Sequence, residues 1–221
     1  MTKTAGTPRA SATPKRMVPD QLRATILGAA GELFSQRPYA DVSVADIARA
    51  ACVSPPLIVF HFGTKKALYL AVLAAAADAI RSGLAALPGT PSIERLQAGV
   101  RFYAEYAHTH RTGFLSLLRG GQEFPEAAAV VESLRTHLAT QLEADLSTTR
   151  PALAASVLTP VAVRAHLGYV DAAITGWLSL PDPARAEITP GMLANLAAAT
   201  FTAALSAISL PIKKLRVPFP C

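Results

Sequence analysis

Residues Ser43–Leu68 read SVADIARAACVSPPLIVFHFGTKKAL. Ser43 is a good helix N-cap, and Asp46 stands three residues on, where the acid of a capping box belongs. Val44, Ile47, Ala48 and Ala51 then recur at helical spacing along one face. This helix stops at Ala51-Cys52-Val53, and Ser54-Pro55 starts another, since Pro fits a first helical position whose N–H would be unpaired anyway. Ile58 and Phe62 continue the apolar face, and Thr64 caps a third helix. Two helices joined by so short a turn, with small Ala48 and Ala51 allowing close approach, predict a helix-turn-helix.

Upstream, Leu22, Ile26, Ala30, Leu33 and Phe34 form the buried stripe of a helix from about Asp20 to Gln36. Residues 1–18 are rich in Thr, Ala, Pro and Ser and carry Lys3, Arg9, Lys15 and Arg16, the composition of a disordered basic tail. Two readings of that tail stay open: an arm that contacts phosphates or a minor groove, or a solvated extension without a role. Charge is uneven along the 221 residues. Residues 1–70 hold nine Lys/Arg against four Asp/Glu, whereas residues 71–212 hold nine against eleven. A basic N-terminal block beside a near-neutral body fits a nucleic-acid contact confined to one end. The apolar fraction of 51%, rich in Ala and Leu, favours a helical core over a disordered chain.

Downstream, a long helix is predicted from Lys65 to about Leu87 and ends at Pro88-Gly89-Thr90-Pro91. Ser92 caps a helix to about His110, a shorter one holds Phe114, Leu117 and Leu118, and Gly120-Gly121 breaks it. Phe124-Pro125 opens a helix to about Thr148, and 150–160 reads as a looser connection. Helices over Val161–Leu180 and from Thr189-Pro190 to Leu210 complete an all-α chain. The domains expected are a tail (1–18), a helix-turn-helix domain (19–66), a helical body (67–212) and a C-terminal tail (213–221).

The pattern Ile26, Ala29, Ala30, Leu33, Phe34, Tyr39, Ser43, Val44, Ile47, Ala48, Ala51, Val53, Ser54, His61, Phe62, Lys65 and Leu68 resembles the DNA-binding domain of TetR-family transcriptional regulators. The chain departs from that family's pattern at Cys52 and Pro38, where Gly is usual, and at Val59, where a DNA-touching Tyr is usual. The resemblance implies a homodimer on double-stranded DNA with a palindromic operator, more often a repressor, and a body that senses a small, largely apolar ligand or has no small-molecule inducer. It implies DNA contacts from Ser43, Ser54, Pro55, Pro56, Leu57, Val59, Phe60, His61, Thr64 and Lys65, with the helix N-termini at Ser43, Ser54 and Thr64 facing phosphates. No Arg, Asn, Gln or Lys lies between Pro55 and Phe60, so base reading falls to apolar contact with thymine methyls and to DNA shape. Candidate ligand-lining residues are Phe102, Tyr106, Phe114, Leu118, Phe124, Tyr169 and Trp177, each of which also reads as core. The two last helices, which resemble the family's dimer pair, offer Val170, Ala173, Trp177, Leu193, Leu196, Thr200, Phe201 and Ala204 as interface.

Other classes fare worse. His108 and His110 are two apart and point to different helix faces, and no phosphate loop, nucleophile elbow or HExxH occurs, so neither catalysis, a metal nor a cofactor is expected. Cys52 and Cys221 are too few for a disulfide scaffold, and the N-terminus lacks the apolar stretch of a signal peptide, which points to the cytoplasm. Leu193–Ile212 is twenty residues without a charge, followed by Lys213 and Lys214, and could be a membrane anchor. Its Asn195, Thr200, Thr202, Ser206 and Ser209, with many Ala, suit a packed helix better, and no membrane partner is expected.

Overall fold

The computed structural model describes residues 19–111, 114, 115 and 124–209; the two tails, Leu117, Leu118 and the Gly120-Gly121 break lie outside the described residues. Ten α-helices occur among the described residues, with no strand. They are α1 (Pro19–Gln36), α2 (Val44–Ala50), α3 (Pro55–Phe62), α4 (Lys65–Ala85), α5 (Ile93–Thr109), α6 (Pro125–Thr149), α7 (Pro151–Ala154), α8 (Thr159–Ser179), α9 (Asp182–Ala186) and α10 (Pro190–Ile208). Seven of them, α1, α3 and α6 to α10, carry Pro in their first turn. There the fixed φ begins a helix and the missing N–H removes nothing the helix needs.

The capping box forms as the sequence predicts: Ser43 Oγ accepts from the Asp46 N–H at 3.0 Å while Asp46 Oδ2 accepts from the Ser43 N–H at 3.1 Å. Those bonds from Ser43, side chain first and backbone second, hold the Asp46 carboxyl below the usual carboxylate range. Pro38, at φ −53°, leads into a 3-10 turn, Tyr39–Asp41, instead of a left-handed cap. Cys52 does take the left-handed conformation, at φ +54°, and is exposed. The turn therefore keeps the geometry that suits glycine and bears its steric cost.

Helix α4 joins two packed groups. Its first turns lie against α1 and α3, and its length packs on α5 and α6. Helix α10 packs chiefly on α5 and α8, and α6 on α8. One apolar core runs from Ile26, Ile47 and Ile58 through Leu68, Tyr69 and Leu73 to Ile174 and Leu178, and a smaller one holds Ala139, Leu146, Val163, Phe201 and Leu205. By length and composition α4 and α10 could each cross a membrane. Their apolar stripes are instead used within the fold: Leu68, Leu73, Ala77 and Ile80 of α4, and Leu193, Ala197, Phe201 and Leu205 of α10, are buried.

That burial corrects half of the expected dimer face. Val170, Trp177, Leu193 and Phe201 are interior to the subunit, and Trp177 Nε1 donates to the Arg185 carbonyl at 3.2 Å. Every fourth residue of α10 from Leu193 turns inward, so the opposite face carries Met192, Leu196 and Ala204, which are exposed. Ala173 and Thr200 are half-buried. Abundant alanine on both faces of α10 hides this division in the sequence.

The turn at Cys52 yields a stability prediction. Cys52→Gly should raise the unfolding free energy by about 0.5–1 kcal/mol, because glycine takes φ +54° without a Cβ penalty. Cys52→Val, β-branched at positive φ, should lower it by at least about 1 kcal/mol. Urea midpoints of the three proteins measure both.

Candidate nucleic-acid interface

Helices α2 and α3 meet through the Cys52 turn, where the Val53 N–H donates to the Ala48 carbonyl at 2.9 Å and the Cys52 N–H to the Arg49 carbonyl at 3.3 Å. Ile58 turns into the core at 1% exposure, which fixes the rotation of α3. The opposite face bears Pro55 and Pro56, both exposed, with Val59 at 51% and Phe60 at 81% exposure. Leu57 and His61 are half-buried at its flanks, and the Phe60 ring stands edge-to-face on His61 at 5.3 Å. So large an exposed aromatic on an eight-residue helix is the outstanding surface feature of this end. Phe62 faces the other way, with the Arg23 guanidinium 5.0 Å from its ring centre.

The three helix N-termini differ in what they leave for an anion. At α3, Pro55 and Pro56 have no N–H, the Leu57 N–H donates to the Ser54 carbonyl at 3.0 Å, and the Ser54 hydroxyl makes no capping bond. The expectation of free amides at this terminus is thus corrected: proline removes two of them, and the Ser54 hydroxyl is what remains. At α4 no proline intervenes, and Thr64 Oγ1 caps by accepting from the Ala67 N–H at 3.0 Å. The α2 cap is closed on itself, because the Ser43 hydroxyl also donates to Asp46 Oδ2 at 2.7 Å. Lys65 holds its ammonium 4.1 Å from the Tyr39 ring centre, which positions the charge at the start of α4. One cation escaped the sequence reading: Arg49, in the last turn of α2 beside the turn, has a 78% exposed side chain in a solvated pair with Asp46 at 3.2 Å. Its position as the sole Lys or Arg between Ser43 and Thr64 was the available signal.

The body contains a cavity of about 430 Å³ among α4, α5, α6, α8, α10 and the Leu87–Ile93 connection. Leu84, Leu96, Val100, Leu134, Leu138, Leu142, Leu167 and Phe201 supply much of its wall. Of the seven expected lining residues, the six that are described lie off this wall. The Phe102 ring lies so close over Gly83 that a Cβ there would sit 2.0 Å from it. Tyr106 is half-buried against His110 at 4.6 Å, and Phe114 is buried against Tyr103 at 5.1 Å. Phe124 joins Tyr39 at 4.9 Å, Trp177 stacks on His108 at 5.2 Å, Tyr169 packs at the rim of the main core, and Leu118 lies outside the described residues. The aromatics serve as packing, and aliphatic residues at helical spacing line the space.

The polar residues of the cavity wall include one bonded cluster and one buried histidine. Arg135 donates through Nε and Nη2 to Asp171 Oδ2 at 3.0 and 2.8 Å, and the Tyr103 hydroxyl donates to Asp171 Oδ1 at 2.9 Å. Burial, reinforced by the Asp171 charge, raises the Tyr103 phenol well above its ordinary range. His166 is 5% exposed, stacks on Phe201 at 4.3 Å, and its Nδ1 meets no partner. Burial pushes its pKa down to about 4. Among the described residues, no group of three His, Cys, Asp or Glu could hold a metal.

Comparison with known proteins gives this architecture its family. A family model described as bacterial regulatory proteins of the tetR family matches residues 26–72, and one described as a tetracyclin repressor-like C-terminal domain matches residues 93–200. The chain belongs to the TetR family. The HTH-type transcriptional activator FasR of Mycolicibacterium smegmatis is 35% identical over 101 residues, which are 45% of this chain and 46% of FasR. The HTH-type transcriptional regulator EthR of Mycobacterium tuberculosis is 32% identical over 107 residues, 47% of this chain and 48% of EthR. The chain thus spans about half the length of the curated relatives it matches. A crystal structure of a TetR-family transcriptional regulator from Streptomyces coelicolor superposes with a TM-score of 0.74 at 29% identity, over 87% of this chain and 83% of that one. As a member of the TetR family the chain falls among the bacterial regulatory proteins.

The buried His166 imposes a pH dependence on the body. Its folded pKa of about 4 lies below the ordinary 6.5, so between those values the unfolded chain takes up a proton that the folded chain refuses. Its contribution is intact above pH 6.5 and is lost as pH falls towards 4, by up to about 3 kcal/mol. A His166→Phe protein should lose less stability over that interval than the parent; parallel acid-side curves would contradict this.

Proposed function

We propose that two copies of this chain bind a palindromic operator through α3, read it chiefly by apolar contact, and release it when a small molecule occupies the body cavity. The observation that carries the reading is the exposed Val59–Phe60 edge of α3, held outward by the burial of Ile58 on the opposite face. A dimer would present two such edges to half-sites about one helical turn, roughly 34–36 Å, apart. Residues 19–66 act as the reading head and residues 67–212 as the sensing and dimerising body. Leu196, Ala204, Ala173 and Thr200, with Met192, supply the face for the second copy. Ser54, Lys65 and Arg49 contact phosphates, Thr64 and His61 hold the ends of α3 and α4, and Pro56, Leu57, Val59 and Phe60 meet thymine methyls and sugar edges. The protein works in the cytoplasm as a repressor. The similarity to FasR, a transcriptional activator, supports a second reading of the sign, with the same DNA contacts.

In vitro selection of random DNA at two salt concentrations tests the reading. An enriched palindrome with T-rich positions opposite Leu57, Val59 and Phe60 is expected, and strongly fixed guanines there would sink the apolar account. Binding without enrichment, steeply weakened by salt, would mean phosphate attraction alone. On the selected site, Lys65→Ala should weaken binding similarly for all sequences and reduce the slope of log K against log salt by about 1.8, one phosphate contact being lost in each copy. Phe60→Ala should weaken binding with little change in that slope.

A further inference from the structure

We infer that the body cavity takes an uncharged, mostly apolar molecule carrying one hydroxyl, and that His166 is the residue that recognises the hydroxyl. The inference rests on the reading of the body as a ligand sensor and names the chemistry of that site. Two independent observations point the same way. The cavity of about 430 Å³ is walled mainly by aliphatic side chains, a size and character suited to a small organic ligand. On that wall His166, 95% buried, has a ring nitrogen with no partner in the protein.

The polar side chains of the wall decide the charge of the ligand. Arg135 is paired with Asp171 and Arg81 with Asp78, while Arg95 donates to the Leu87 carbonyl at the α4–α5 connection. The Tyr103 hydroxyl is likewise spent on Asp171, whose two oxygens are both engaged. Arg150 is exposed, so its charge is already solvated. The buried group left in want of a hydrogen bond is therefore a neutral imidazole. Against this ring a carboxylate would lose its water and meet no charge, which is costly, whereas a hydroxyl costs little once bonded. A hydroxyl both donates and accepts, so it satisfies either tautomer of the ring. The alkyl or ring body of the ligand would then cover Leu96, Val100, Leu138, Leu142 and Phe201.

The test uses decan-1-ol and sodium decanoate, titrated calorimetrically into the full chain, into His166→Phe and into His166→Gln, each first shown folded by its own melting curve. Decanol should bind the parent more tightly than decanoate does, bind His166→Phe about tenfold more weakly, and bind His166→Gln nearly as well as the parent. Equal or tighter binding of decanoate would overturn the inference, as would unchanged decanol affinity in His166→Phe. If His166→Phe fails to fold, the alcohol-against-carboxylate comparison on the parent decides alone. DNA affinity is read separately: decanol bound in this manner without effect on operator affinity supports the site and counts only against its coupling to DNA.

Discussion

Tyr69, one turn into α4 and 2% exposed, meets Phe34 edge-on at 5.0 Å and Tyr39 at 5.1 Å, while Phe124 reaches it from the start of α6 at 6.3 Å. These four rings come from α1, the 3-10 turn, α4 and the α6 N-cap. They tie the helix-turn-helix group to the body. Pairs of this kind add about 0.5–1.5 kcal/mol beyond the area they bury. Beside them Lys66 bonds Glu126 at 2.8 Å and sits 4.9 Å from the Phe124 ring centre. That pair is largely exposed and contributes little by itself, so the aromatic packing sets the geometry of the joint. Whatever displaces the first turn of α6 must displace Phe124, and with it the base of α4.

The N-terminal third was legible because its signals are local. Ser43 with Asp46, Ser54 with Pro55, and Thr64 each mark a helix start within three residues, and the apolar positions between them have one period. The same locality misled at one point, since a helix N-terminus reads as an anion site until Pro55 and Pro56 are counted as missing donors. The body was legible as helices and illegible as a site. Its cavity draws on five helices, and each lining residue, taken alone, is an aliphatic at core spacing. Aromatic residues looked like the natural ligand contacts, yet Phe102 covers Gly83, Phe114 meets Tyr103, and Phe124 belongs to the joint. His166 gave no sign in sequence, because its significance lies in the partner it lacks.

Electrostatics divide the molecule along the same line. At the DNA-facing end the charges are solvated and their pairs are short-range, as with Arg49 and Asp46. Inside the body, Asp171 gathers Tyr103 and Arg135 into one bonded group that spans α5, α6 and α8. Removing Asp171 would leave the buried Tyr103 hydroxyl without its acceptor, so the group constrains how those three helices sit around the cavity.

The prolines at the starts of seven helices have a further meaning for the chain before it folds. Each fixes φ near the helical value and narrows the choices of the residue preceding it. The unfolded ensemble is therefore poorer in conformations at the very places where helices must begin. Less disorder is surrendered when α1, α3, α6, α7, α8, α9 and α10 form, and that saving appears in no contact of the folded molecule. An alanine-rich body with modest side-chain volume thus draws part of its stability from the restrictions on its unfolded chain.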